Sequence, residues 1–301
     1  MFQHILIPVD GSPFSASAVR HAGAVARRAG ARILLLHVHP PVLVPEFSAL
    51  SMEATTGWDQ EIRDAQSRHL DELARKLRDD GLDVRTEILD GEVASAIIER
   101  SRRDADLLVM ATHGAGGLAG AWLGSVTDTV IHHVTLPALL VRPEEGETGE
   151  VVFERILVAT DGSPAAEAST EQAVNLARMF DAGLTLLRVV PVPAGPASPY
   201  IPHAARLDRD LTREREEEAE RGLAAVSARI GGSVRLETRV VRAYHTARAI
   251  LEAIEESGAD LIAVGTHRRT RLARIVLGSV ADKVLRAAPV PVLIGHAAAP
   301  R

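Results

Sequence analysis

The chain has 301 residues, 46% apolar and 25% charged, with a formal net charge of −6 and no cysteine. This composition has enough apolar surface for a core in each of two domains of about 150 residues and excludes disorder, while zero cysteine excludes disulfide frameworks, thiol nucleophiles and cysteine-based metal sites. Residues 1–150 hold 14 basic and 22 acidic residues and the remainder 20 and 18, so the halves carry about −8 and +2. Neither half is the basic footprint of a nucleic-acid binder, and aromatic residues for base stacking make up only 3% of the chain. No apolar run approaches the roughly 18 residues of a spanning helix, and Met1–Asp10 lacks the zones of a signal peptide, so no membrane association and a cytoplasmic location are expected.

In chain order, the first half alternates apolar β-branched runs with amphipathic stretches, the pattern of parallel βαβ units. Strands are predicted at His4–Val9, Arg32–Val38, Asp83–Leu89, Asp106–Ala111 and Ala138–Val141. Helices are predicted after Ser12, over Trp58–Asp79, after Glu92 and after Gly124. The second half repeats the order, with strands at Arg155–Thr160, Leu184–Val190, Val234–Val240, Asp260–Gly265 and Pro291–Ile294. Its helices follow Ser163, span Ala204–Ile230, and follow His245 and Gly278. Ser12-Pro13 and Ser163-Pro164 are helix-start signals, an N-cap serine before a first-turn proline.

The halves are copies. Ile5 through Pro13 matches Ile156 through Pro164 at six of nine positions, and Thr112-His113 and Leu123-Gly124-Ser125-Val126 return as Thr266-His267 and Leu277-Gly278-Ser279-Val280. A repeat this long is a duplicated domain rather than a solenoid unit. The expected architecture is α/β, two tandem open five-stranded parallel sheets of order 3-2-1-4-5 flanked by helices, with domains at 1–143 and 152–296 joined by an acidic, glycine-containing stretch.

The polar residues that survive duplication end strands 1 and 4. In an open α/β sheet those carboxyl ends flank the switch point where ligands bind. Two readings of Asp-Gly-Ser-Pro stand side by side: a tight turn, for which Gly-Ser-Pro suffices, and a ligand contact, which also accounts for Asp10 and Asp161. After strand 4, glycines followed by the helix start at Gly124-Ser125 form a candidate phosphate site, against the plainer reading of a capped turn. A Walker loop is absent, since neither Lys76 nor Lys283 follows a glycine, and no strand leads directly into G-x-G-x-x-G. His37 and His39 alternate on strand 2 without further ligands, which favours a strand-end role over a metal pair. His132 and His133 read as cations at a helix C-terminus. His113 and His267 sit in the phosphate loops, where a loop hydrogen bond is the plainer role.

These motifs resemble the universal stress protein family, in tandem form, over nearly the whole chain. ATP-binding members carry G-x2-G-x9-G-[S/T]; here the pattern reads Ala111-x2-Gly114-x9-Gly124-Ser125 and Gly265-x2-Arg268-x9-Gly278-Ser279, each half departing from it at one glycine. The resemblance implies ATP, possible with Mg²⁺, held in the first half by Asp10, Val38, Ala111, His113, Gly114, Gly117, Gly124, Ser125 and Val126. The matching second-half positions are Asp161, Val189, Gly265, Arg268, Gly278, Ser279 and Val280. Asp10 and Asp161 would meet ribose or phosphates, and the backbones of Val38 and Val189 adenine. Arg268 at a glycine position either obstructs phosphate or clamps it, and weaker second-half binding is expected. The implied role is a nucleotide-responsive stress regulator with no catalytic residues and an unknown protein partner. The alternatives are a slow nucleotide hydrolase or transferase, and a scaffold without nucleotide. The short apolar last strands, Ala138–Val141 and Pro291–Ile294, are expected to pair with each other, and a homodimer is expected as in similar tandem proteins.

Overall fold

The computed structural model describes residues 2–41, 52–112, 123–142, 149–192, 204–268 and 275–296. The chain divides into two compact units, Met1–Val151 and Val152–Arg301. The first runs β1 (His4–Pro8), α1 (Pro13–Ala29), β2 (Arg32–His39), α2 (Met52–Asp79), β3 (Val84–Asp90), α3 (Val93–Asp104), β4 (Leu107–Ala111), α4 (Ser125–Ile131) and β5 (Ala138–Val141). The second runs β6 (Arg155–Ala159), α5 (Pro164–Phe180), β7 (Gly183–Pro191), α6 (Ala204–Ile230), β8 (Arg235–Ala243), α7 (Thr246–Ser257), β9 (Leu261–Arg268), β10 (Ile275–Val276), α8 (Ser279–Ala287) and β11 (Val292–His296). A 3-10 turn at Gly231–Ser233 follows α6.

Within each unit the strands follow the expected 3-2-1-4-5 order. The first has parallel order β3-β2-β1-β4-β5, and the second has β8-β7-β6-β9-β11. Ile5 pairs with Ile33 on one side and Leu107 on the other, so β1 is central and wholly apolar in its middle. Ile5, Leu6, Ile7, Leu35, Leu36, Leu107 and Leu108 are buried, the near-continuous apolar composition of strands covered on both faces.

The helices start and stop where local chemistry dictates. The Ser12 side chain accepts from the Ser15 amide and Ser163 from the Ala166 amide, each followed by proline in the first turn. α1 ends on Gly30 in the left-handed conformation, and α5 ends on Asp181, the one non-glycine residue with positive φ among the described residues. A further repeat, Ala105-Asp106-Leu107 and Ala259-Asp260-Leu261, is structural. Asp106 accepts from the Gln3 and His4 amides at 2.7 and 3.0 Å, and Asp260 accepts from the Glu154 amide at 2.7 Å, so each aspartate ties the amino end of strand 4 to that of strand 1.

Most strand boundaries shift by a residue or more from the sequence reading, β8 running on to Ala243 rather than Val240, and two further differences have a plain cause. α2 begins at Met52 rather than Trp58, since Met52, Glu53 and Ala54 are good helix formers that extend it by a turn and a half. β9 continues past Gly265 to Arg268, where the backbone turns back: Ile275 and Val276 of β10 pair antiparallel with Arg268 and His267.

Candidate functional site

In the second unit, the carboxyl ends of the strands enclose a cavity of about 240 Å³. Asp161, Val189, Gly265, Gly278, Ser279 and Val280, all singled out from the sequence, line it. Each arrives for a local reason. Asp161 follows the end of β6 and its carboxylate accepts from the Ser163 amide at 2.9 Å, closing an Asx turn. Gly162 occupies the left-handed region at φ +77°, which the turn requires, and its amide donates to Thr160 Oγ1 at 3.2 Å. Val189 lies on β7, two residues after Leu187, and alternation puts both on the cavity face.

At Gly265 the chain comes close to helix α5. A Cβ there would stand 2.5 Å from the Ala165 carbonyl and the Ala166 amide nitrogen, so the first turn of α5 rests directly on β9. Its partner in register on β11, Gly295, is pressed against the Ser169 backbone in the same way. Gly278 is the N-cap of α8, at φ −58° and ψ 150°, with no side-chain cap, which leaves the amides of the first turn for another acceptor. Ala281 of that turn also lines the cavity, as do Thr246 and Ile250 from α7. The sequence reading did not name these α7 residues. Their signal was the position of Thr246 at the start of the helix that follows the third strand, just past Tyr244 and His245 and again at a carboxyl end. Asp161 is the only ionisable side chain among the described lining residues. Arg268 takes part in the β9–β10 backbone pairing.

In the first unit, Asp10, Val38 and Ala111 stand at the ends of β1, β2 and β4, and Gly124, Ser125 and Val126 at the start of α4. The Asp10 carboxylate accepts from the Ser12 amide at 3.0 Å and hydroxyl at 2.6 Å. The Gly124 amide donates to the Thr112 carbonyl at 2.8 Å, and Thr127 Oγ1 to the Ala111 carbonyl at 3.0 Å, which fixes the start of α4 against the end of β4. Ala111 is free of positive φ, so its methyl is accommodated without strain. His113, Gly114 and Gly117 lie outside the described residues. A larger hollow of about 690 Å³ lies between α1 and α2, lined by Arg20, Arg27, Leu73, Lys76 and Leu77 among others, away from the strand ends.

The histidines take separate roles. His37 Nδ1 donates to the Val9 carbonyl at 2.8 Å, while its buried Nε2 has no partner among the described residues. Burial, followed by the nearby charges of His39 and His69, holds the His37 ring toward its neutral form against the opposing pull of the Val9 carbonyl and Asp10. His39 Nε2 donates to Asp59 Oδ1 at 2.8 Å, and its Nδ1 lies 2.9 Å from Gln66 Oε1. Asp59 also accepts from Arg63, whose hydrogen bond is the main cause of its lowered pKa. His132 and His133 donate from Nδ1 to the Asp128 and Thr129 carbonyls at the end of α4. Among the described residues no group of three or more ligating side chains could hold a metal ion.

A duplicated doubly wound α/β chain, with its repeated polar positions at the carboxyl ends of the strands, falls in the class of crevice-binding α/β proteins. The family model "Universal stress protein family" matches residues 1–142 and 153–296. A universal stress protein of Mycolicibacterium smegmatis is 32% identical over 302 residues, covering 96% of each chain. One from Methanocaldococcus jannaschii is 34% identical over 150 residues, covering 48% of this chain and 84% of the other. The crystal structure of a universal stress protein from Archaeoglobus fulgidus superposes with a TM-score of 0.67 at 21% identity, covering 98% of this chain and 96% of that one. The chain belongs to the universal stress protein family.

Proposed function

We propose that the chain binds ATP at the carboxyl ends of its strands and works as a nucleotide-responsive regulator. The observation that carries this reading is the convergence of Asp161, Val189, Gly265, Gly278, Ser279 and Val280 on one cavity. The donor set suits a nucleotide. The Asp161 carboxylate can accept from ribose hydroxyls, the apolar wall of Leu187, Val189 and Ile250 suits a purine, and the free amides at the start of α8 suit phosphate. About 240 Å³ is below the roughly 300–1,000 Å³ of pockets that engulf a drug-sized ligand, so the nucleoside is held inside and the phosphates lie toward the open side. Mg²⁺, when present, would neutralise those phosphates beside Asp161. By sequence correspondence we assign the same role to the equivalent first-unit residues, with His113, Gly114 and Gly117.

We favour binding over turnover because Asp161, the one ionisable side chain among the described lining residues, supplies no acid–base pair by itself. In this proposal the protein acts as a homodimer in the cytoplasm and passes nucleotide occupancy to a protein partner. Denaturing freshly purified protein and separating the released small molecules tests the reading, with ATP as the expected product. Release of no adenine nucleotide, together with no uptake of added ATP, would leave a scaffold.

A further inference from the structure

The two Asp-Gly-Ser-Pro turns are identical in sequence and rest on different side chains. Beneath the second turn stands Arg188 of β7, half-buried, with Nη1 2.7 Å from where a Cβ of Gly162 would lie and 3.5 Å from where one of Gly222 on α6 would lie. The guanidinium thus fills the gap between a glycine of the turn and a glycine of the covering helix. Among the described residues no hydrogen bond or ion pair holds it. At the corresponding places the first unit has His37 on β2 and His69 on α2, with His69 Cδ2 4.0 Å from a Cβ at Gly11. Where the first unit has two imidazoles the second has one arginine and one glycine, which changes the charge beneath the turn. The His37 ring is biased toward neutral by burial, whereas a guanidinium keeps its charge at any pH a protein tolerates.

The change matters because of what the turn carries. Asp161 lines the cavity, and its carboxylate repels the phosphates of any nucleotide bound there. A fixed positive charge under the next residue offsets that repulsion, and the benefit grows with the ligand's negative charge. Val189 faces the cavity and Arg188, its neighbour on the strand, faces α6, so the guanidinium acts through the turn without touching the ligand. We propose that Arg188 is a positioning residue that biases the second unit's site toward polyphosphorylated nucleotides. This inference rests on the nucleotide-site reading above.

The test is titration calorimetry with adenosine, AMP, ADP and ATP on the full chain, with Gly124→Glu in the parent to silence the first-unit site. Arg188→Met is expected to lower the ATP-to-adenosine affinity ratio by about three- to tenfold, leaving adenosine affinity within about twofold, and Arg188→Lys to restore most of the ratio. The double variant Arg188→His with Gly222→His installs the first unit's packing, which guards against a misfolded result, and is expected to lower the ratio equally. An unchanged ratio in both variants, or an equal loss for every ligand, would overturn this inference alone. Absence of nucleotide binding in the parent would overturn the site reading and this inference together.

Discussion

His37 shows how a single ring couples the first unit to pH. Its Nδ1–H is committed to the Val9 carbonyl and its Nε2 is buried without a partner among the described residues, so protonation would place a charge where none of them accepts it. Burial is the largest cause of its lowered pKa. The neighbouring His39 and His69 lower it further, while the Val9 hydrogen bond and the Asp10 charge only partly oppose them. Because the folded-state pKa lies below the unfolded value of about 6.5, the unfolded chain binds the proton more readily in that window. Stability contributed by the neutral ring is present above pH 6.5 and is lost as pH falls through and below that value. His37→Gln, which does not titrate, is expected to flatten this part of the stability profile. Urea denaturation midpoints between pH 7.5 and 5.5 check this, and a variant with the wild-type slope would show that another group is responsible.

At the scale of elements, the sharpest difference between the units is how closely the first helix lies on strands 4 and 5. The second unit pairs Gly265 with Gly295 in register, where the first pairs Ala111 with Val141. A methyl at 265 would meet the α5 backbone at 2.5 Å, and a helix backbone cannot give way as a flexible side chain can. Gly265→Ala is therefore expected to destabilise the second unit by about 1–3 kcal/mol. Ala111→Gly is expected to cost less, about 1 kcal/mol or below. Chemical denaturation of the two variants compares them directly, and equal effects would remove the packing explanation.

The sequence foretold the elements because their signals are local: apolar strands covered on both faces, Ser-Pro helix starts, and a repeat that marks each boundary twice. It also marked the polar positions, but repetition alone did not separate their roles. Asp106 and Asp260 recur as faithfully as Asp10 and Asp161, yet they bind backbone amides at the opposite end of the sheet. Gly265 read as room for a phosphate, and its helix contact is an equally strict reason that only three dimensions reveal. The partnership of His39 with Asp59 and the juxtaposition of Arg188 with Gly222 were out of reach for a related reason. Each depends on which face a long helix turns toward its strand across an intervening loop.

At the scale of the whole molecule, one chain carries two versions of one strand-end site, alike in the aspartate turn and the Gly-Ser helix start and different in the charge beneath. The second-unit cavity is the proposed nucleotide site, and Gly278 at the start of α8 is the residue whose change tests it most directly. A carboxylate introduced there sits at the start of α8, where it would take the helix's free amides and repel phosphate. Titration calorimetry of ATP into wild type and Gly278→Glu measures this directly. The variant is predicted to bind one equivalent of ATP less per chain than wild type, with its circular dichroism unchanged; the same stoichiometry and affinity in both proteins would contradict the assignment.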